Sequence, residues 1–143
     1  MLARGIFGDS VDYARVTIRR RKWFPFQPRK MVMAPSGHLH FHPQGTLYCD
    51  DFGAATLSAQ GLFIHEMTHV WQAQQKGAWY LVLRRHPFCR YDYSLKPGWR
   101  LERYGLEQQA EIVRHAFLLR NGAKVAGVGD ADAYEWLVDF GKS

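Results

Sequence analysis

From Ala14 to Ile18 the residues alternate apolar and polar as Ala, Arg, Val, Thr, Ile, the period-two pattern of a half-buried strand with a basic outer face. The stretch Gly37 to His42 alternates again, with Leu39 and Phe41 set between His38, His40 and His42, and predicts a second strand closed by Pro43 and Gly45. Pro25, Pro28 and Pro35 make a loop of the interval between them. A short helix is expected over about residues 2–7. Beyond residue 58 the period changes. Residues 59–76 read as a helix capped by Ser58 and stopped at Gly77. Its apolar positions, Leu62, Phe63, Ile64, Met67, Val70 and Trp71, are spread around the axis rather than along one stripe, so the helix is expected to be buried on most sides. Residues 78–84 stay apolar and fit a helix or a strand. After a Pro- and Gly-containing loop over 86–100, a second long helix is predicted for 104–120, ending at Asn121-Gly122. A last amphipathic helix over 131–140, capped by Asp130, is expected to bury Trp136, Leu137 and Phe140.

Composition narrows this picture without changing it. The 143 residues, 47% of them hydrophobic, suit a single domain over 1–143. A chain of this size buries roughly 70% of its extended surface, so Cys49 and Cys89 are not needed as a staple and read as structural thiols in a reducing compartment. No window approaches the ~20 consecutive apolar residues of a membrane span, and no apolar run near the N-terminus is long enough for a secretory signal, so the expected location is cytoplasmic. The net charge of +6 is local. Residues 1–30 hold 8 Lys or Arg against 2 Asp, whereas the remaining 113 residues carry 11 of each sign. Such a patch attracts anions in general, but no nucleic-acid-reading motif accompanies it, and a nucleic-acid or membrane-surface binder is carried only as a rival reading.

Chemistry concentrates in the buried helix, at His65-Glu66-Met67-Thr68-His69. Histidines at i and i+4 stand on one helical face about 6 Å apart, and both imidazoles can reach one ion at about 2.0 to 2.1 Å. Glu66, one residue on, is poorly placed to join them but can reach a water at an open metal position, as a general base must. Counted by fours, the histidine row is Gly61, His65, His69, Ala73; the small residues at its ends leave room for an ion and for a second backbone.

A catalytic zinc takes three protein ligands and keeps a fourth position open. Gln72 and Gln75 stand where an H-E-x-x-H-x-x-G-x-x-H extension would need Gly and His, so the third ligand must come from elsewhere. The best source is the helix containing Tyr104-Gly-Leu-Glu-Gln-Gln-Ala-Glu111, where Glu107 and Glu111 share a face and Ala110 permits close approach. His86 is a rival ligand.

Phe63-Ile-His-Glu-Met-Thr-His-Val-Trp-Gln72, Tyr91-Asp-Tyr-Ser-Leu-Lys-Pro-Gly98, Tyr104 to Glu111, the His-Phe-His-Pro run at 40–43 and Asp51-Phe52 together resemble the small, Vgr-related, zincin-like bacterial proteins found near type VI secretion or Rhs genes. The resemblance covers most of the chain. It implies a compact α+β zincin-like domain with a short N-terminal sheet, an active-site helix and C-terminal helices. It implies Glu107 as third ligand, since Glu107-Gln-Gln-Ala-Glu111 matches the gluzincin pattern E-x-x-A-[DEN]. It also implies a strand beside the active helix that pairs with extended substrate, for which 37–42 is the natural candidate.

The remaining residues each have a plainer alternative. Glu111 either orients a ligating imidazole or pairs on the surface with Arg114 or His115. His38, His40 and His42 form either a second metal site or simply the polar face of a strand. Tyr91, Tyr93, Tyr104 and His115 are all candidate donors to a developing oxyanion. The function expected is zinc-dependent hydrolysis of a peptide bond, with His65, His69 and Glu107 holding Zn²⁺ and Glu66 as base. The substrate is a peptide or protein, a secretion-system component among the candidates, and export through a type VI system stays open. The alternative is a secretion-system accessory or adaptor with a structural or vestigial zinc site.

Overall fold

The computed structural model describes residues 2–84 and 88–140; the rival ligand His86 lies outside them. The fold is mostly helical with one small parallel sheet, and is therefore α+β in coarse class. Helix α1 spans Arg4–Phe7, strand β1 Ile18–Arg19, strand β2 Leu39–His40, and helices α2, α3, α4 and α5 span Leu57–Lys76, Ala78–Arg84, Leu106–Arg120 and Ala131–Leu137.

Helix α2 is the central element. Thr56, not Ser58, caps it: the Thr56 hydroxyl accepts the Ala59 N–H at 3.3 Å, so the helix starts two residues earlier than the sequence pattern suggests. Gly77 stops it at φ 90, and its N–H donates to Ala73 O, a conformation that any side chain would strain. Phe63, Ile64, Met67 and Val70 are buried, and so are the polar residues His65, Glu66, Thr68, His69 and Gln72. Burial on nearly every side agrees with the absence of a single apolar stripe.

Helix α4 is the main partner of α2. His69 faces Glu107, His65 faces Glu111, and Gly61 faces Leu118, so the two helices run antiparallel. A Cβ on Gly61 would lie 3.1 Å from Leu118 Cδ2, closer than ordinary packing allows. The small ends of the histidine row thus serve helix approach at residue 61.

The sheet is smaller than the alternation predicted. Residues Tyr13–Arg15 form a single 3-10 turn capped by Asp12, and pairing begins only at Thr17 O, which accepts the Leu39 N–H. β1 and β2 are parallel, Ile18 beside Leu39 and Arg19 beside His40, while Met33 bridges His40 from the other side in antiparallel sense. β2 is consequently covered on both edges and is buried, whereas β1 is exposed. Phe41, Phe52 and Phe63 carry the core from the sheet to α2, the last two stacked with centroids 4.6 Å apart.

At the C-terminal end, Asp130 caps α5 as expected, but Trp136 does not enter the core. It is half exposed, with the Arg100 guanidinium 5.6 Å from its ring, and Tyr134 takes the buried place. Arg120 ties this end together, pairing through Nε and Nη2 with Glu135 and donating from Nη1 to Gly5 O. Residues 78–84, ambiguous in sequence, are helical.

Candidate metal centre

Three ligand atoms converge where α2 and α4 face each other. The Nε2 atoms of His65 and His69 lie 3.2 and 3.1 Å from Glu107 Oε2, and the candidate donors of these three buried residues all fall within 4.8 Å of one another. Two imidazoles and one carboxylate are a donor set suited to zinc. In the described residues this is the one such group of His, Cys, Asp or Glu.

The ring orientations are fixed from behind. His69 Nδ1–H donates to Gln72 Oε1 at 2.8 Å. The Gln72 amide is in turn set by its own donations to Leu106 O and Gln109 Oε1, and Gln109 Nε2 donates to Tyr104 O. Each amide can satisfy this chain in one orientation only, so the proton of a neutral His69 sits on Nδ1 and its Nε2 lone pair faces Glu107. Gln72 and Gln109 were not among the sequence candidates; the signal for Gln72 was its place three residues past His69, on the same face.

Glu111 backs the other ring. Its Oε1 lies 2.7 Å from His65 Nδ1, close but off the axis of a full N–H···O bond, and it also meets Arg114 at 3.4 Å and His115 at 3.5 Å. Glu111 thus touches His65 as well as Arg114 and His115. Burial raises the Glu111 pKa, but His65, Arg114 and His115 more than compensate and hold the carboxyl below its ordinary value. His65 is pushed up to about 9: burial opposes its charge, and the carboxylates of Glu107 and Glu111 beside its two nitrogens, with the field of Glu66, outweigh that. Without an ion, the imidazole keeps a second proton near neutral pH, and a divalent cation would take that proton's place.

Glu66 is buried, and its Oε2 has no hydrogen-bond partner. It lines a cleft of ≈ 630 Å³ together with His65, Glu107 and Glu111, whose rim includes Lys30, Met31 and Tyr91. Tyr91 stacks along the His65 ring at 6.1 Å, and is the one oxyanion-donor candidate lining this cleft. Tyr93 instead bonds His115 Nδ1 and the Tyr134 hydroxyl, and Tyr104 accepts the Lys96 N–H.

The histidines at 38, 40 and 42 do not assemble. His38 Nδ1 meets Thr17, His42 Nδ1 accepts the Gln44 N–H, and His40 Nδ1 is buried without a partner. His40 and His42 are buried alongside Leu39 and Phe41, because β2 is enclosed, so the solvated polar face expected of the strand is absent. Segment 30–33, rather than 37–42, borders the cleft. Cys49 and Cys89 are not joined in a disulfide and lie outside the metal group.

No family model matches the chain. It is 43% identical to the type VI secretion system spike protein VgrG2b of Pseudomonas aeruginosa over 127 residues, 84% of this chain but 12% of that protein. The chain therefore spans about an eighth of that relative's length. Among solved structures, it superposes on the effector domain of Pseudomonas aeruginosa VgrG2b with a TM-score of 0.75 and 40% identity, over 96% of this chain and 78% of that one. On that identity and coverage, the chain belongs to the family of the VgrG2b effector domain.

Proposed function

We propose that this domain works in type VI secretion as an effector-type module, and that its buried site is a catalytic zinc centre hydrolysing peptide bonds in the manner of a gluzincin. The observation that carries the reading is Glu66. A buried carboxylate oxygen without a hydrogen-bond partner costs several kcal/mol, roughly, and fold stability gives no reason to keep it on a cleft wall beside three converging ligand atoms. A general base needs that placement.

His65, His69 and Glu107 would hold the ion, and a set of three protein donors is the kind that leaves a metal accessible to water or substrate. When bound, zinc supplies Lewis acidity toward the scissile carbonyl and toward an attacking water. Glu66 takes the proton from that water and passes it to the leaving amine. Gln72 and Glu111 hold the two rings in place from their Nδ1 sides. The cleft between segment 30–33 and Tyr91 admits an extended peptide, and water is limited there by Val32, Met33, Leu47 and Leu62.

The spike relative also supports a second reading, in which the domain is a secretion accessory and its metal is structural. A structural zinc takes four protein ligands, whereas the group in the described residues has three. Glu66→Gln separates the two. Expressed beside the wild type, it should keep its zinc while the protein fragments generated by the wild type disappear from a proteomic comparison, a loss of roughly 10²-fold or more in hydrolysis. Equal fragment yields from both proteins would remove the peptidase reading and leave the accessory one.

A further inference from the structure

Helix α3 turns its apolar face outward. Leu81 is fully buried and anchors the helix, but Trp79, Val82 and Leu83, at i, i+3 and i+4, are 75%, 36% and 78% exposed. These spacings place the three side chains on one face. Tyr80 and Arg84 stand to one side of this face, the guanidinium lying 5.7 Å from the ring, and Lys76 ends the preceding helix one turn before Tyr80. Charge along this part of the chain has a single sign: from Met67 to Tyr91 there is no acidic residue, while Lys76, Arg84 and Arg90 are present.

We propose that α3 is a membrane-surface helix that lays Trp79, Val82 and Leu83 into the headgroup region of a bilayer rich in anionic lipid. Three observations select this occupant. Large apolar side chains standing in water, one of them an indole, suit an interface that is apolar on one side and wet on the other. The flanking cations, with no acid among them, complement anionic headgroups. The same uniform charge disfavours a second copy, because two such faces would bring Lys76 and Arg84 against their own equivalents. No helix of the described residues is long and apolar enough to cross a membrane, so contact would be confined to one leaflet.

Co-sedimentation of the whole domain with vesicles tests this. Vesicles of phosphatidylglycerol and phosphatidylcholine should retain the protein, pure phosphatidylcholine vesicles should retain it at least tenfold less, and added salt should weaken the binding. Trp79→Ser with Leu83→Ser should lower the partition into anionic vesicles by tenfold or more. Lys76→Gln with Arg84→Gln should remove the preference for the anionic lipid. Trp136→Ser, which changes an indole exposed elsewhere, should leave the partition unchanged, and circular dichroism verifies that each variant is folded. Absence of vesicle binding, or binding indifferent to the Trp79 and Leu83 changes, would overturn the proposal. So would a lipid-free dimer that the same two changes dissolve, since it would assign the face to a second copy. None of these readouts depends on hydrolysis or zinc.

Discussion

Two groups of histidines lie close together in sequence and fare differently in the fold. His65 and His69 sit on one helix one turn apart, share Glu107 Oε2 on the facing helix, and have each ring's second nitrogen beside a polar side chain. His38, His40 and His42 sit on alternate positions of a short stretch, and each goes its own way: to Thr17, to the Arg21 backbone with Nδ1 left without a partner, and to Gln44. Local spacing is favourable in both. What distinguishes them is a second element carrying carboxylates and amides: α4 supplies it to the first group, and among the described residues no His, Cys, Asp or Glu group forms around the second.

The largest effect should come from removing the shared carboxylate. Glu107→Ala should lower zinc affinity by several orders of magnitude in a competitive titration against a chelator of known affinity, since a direct ligand is lost. Zinc content of the wild type after dialysis against a weak chelator should be about one per chain. A value near two that drops on His40→Ala would erase the contrast between the two groups.

Removing the supports should cost less. Glu111→Ala and Gln72→Ala should each weaken zinc binding by roughly 10- to 100-fold, the range for groups that orient a ligand without touching the metal. If Glu111→Ala were the more damaging of Glu111→Ala and Glu107→Ala, the third ligand would move to Glu111.

The smallest expected effect is on the strand. Burial and the nearby Arg19 push the His40 pKa below its ordinary value, and burial and Lys22 do the same to His42. A histidine whose folded pKa is depressed takes its proton more readily when unfolded, so stability is intact above about pH 6.5 and falls below it. Thermal unfolding of His40→Asn between pH 7.5 and 5 should show a shallower decline than the wild type; a parallel decline would mean that His40 stays neutral in neither state or in both.

Much of the candidate site was legible because its information is local. The i and i+4 histidines, the glutamate between them, and the paired Glu107 and Glu111 are fixed by helical periodicity. So is the stop of α2 at Gly77, which only a residue free to adopt positive φ accepts. Less of the N-terminal half was legible. An alternating run specifies a strand only if a partner is present along its length, and at Tyr13–Arg15 the Asp12 cap wins a 3-10 turn instead. Trp136 shows the same limit at the other end, where Tyr134 reaches the core first and Arg100 covers the indole outside.

The sequence by itself determined the two long helices and which side chains share their faces, since a face depends on 3.6 residues per turn and on nothing distant; that residues 78–84 are helical was settled only in the fold. Only the tertiary structure decided that α4 runs antiparallel to α2 at the Gly61 notch, bringing Glu107 between the two rings and Glu111 behind that of His65, and linking Gln72, behind His69, to Gln109. It also decided that Tyr91, not Tyr93 or Tyr104, borders the cleft, and that α3 turns Trp79 and Leu83 to solvent. These outcomes depend on which surfaces compete for burial across tens of residues, and that competition is resolved only when the whole core closes.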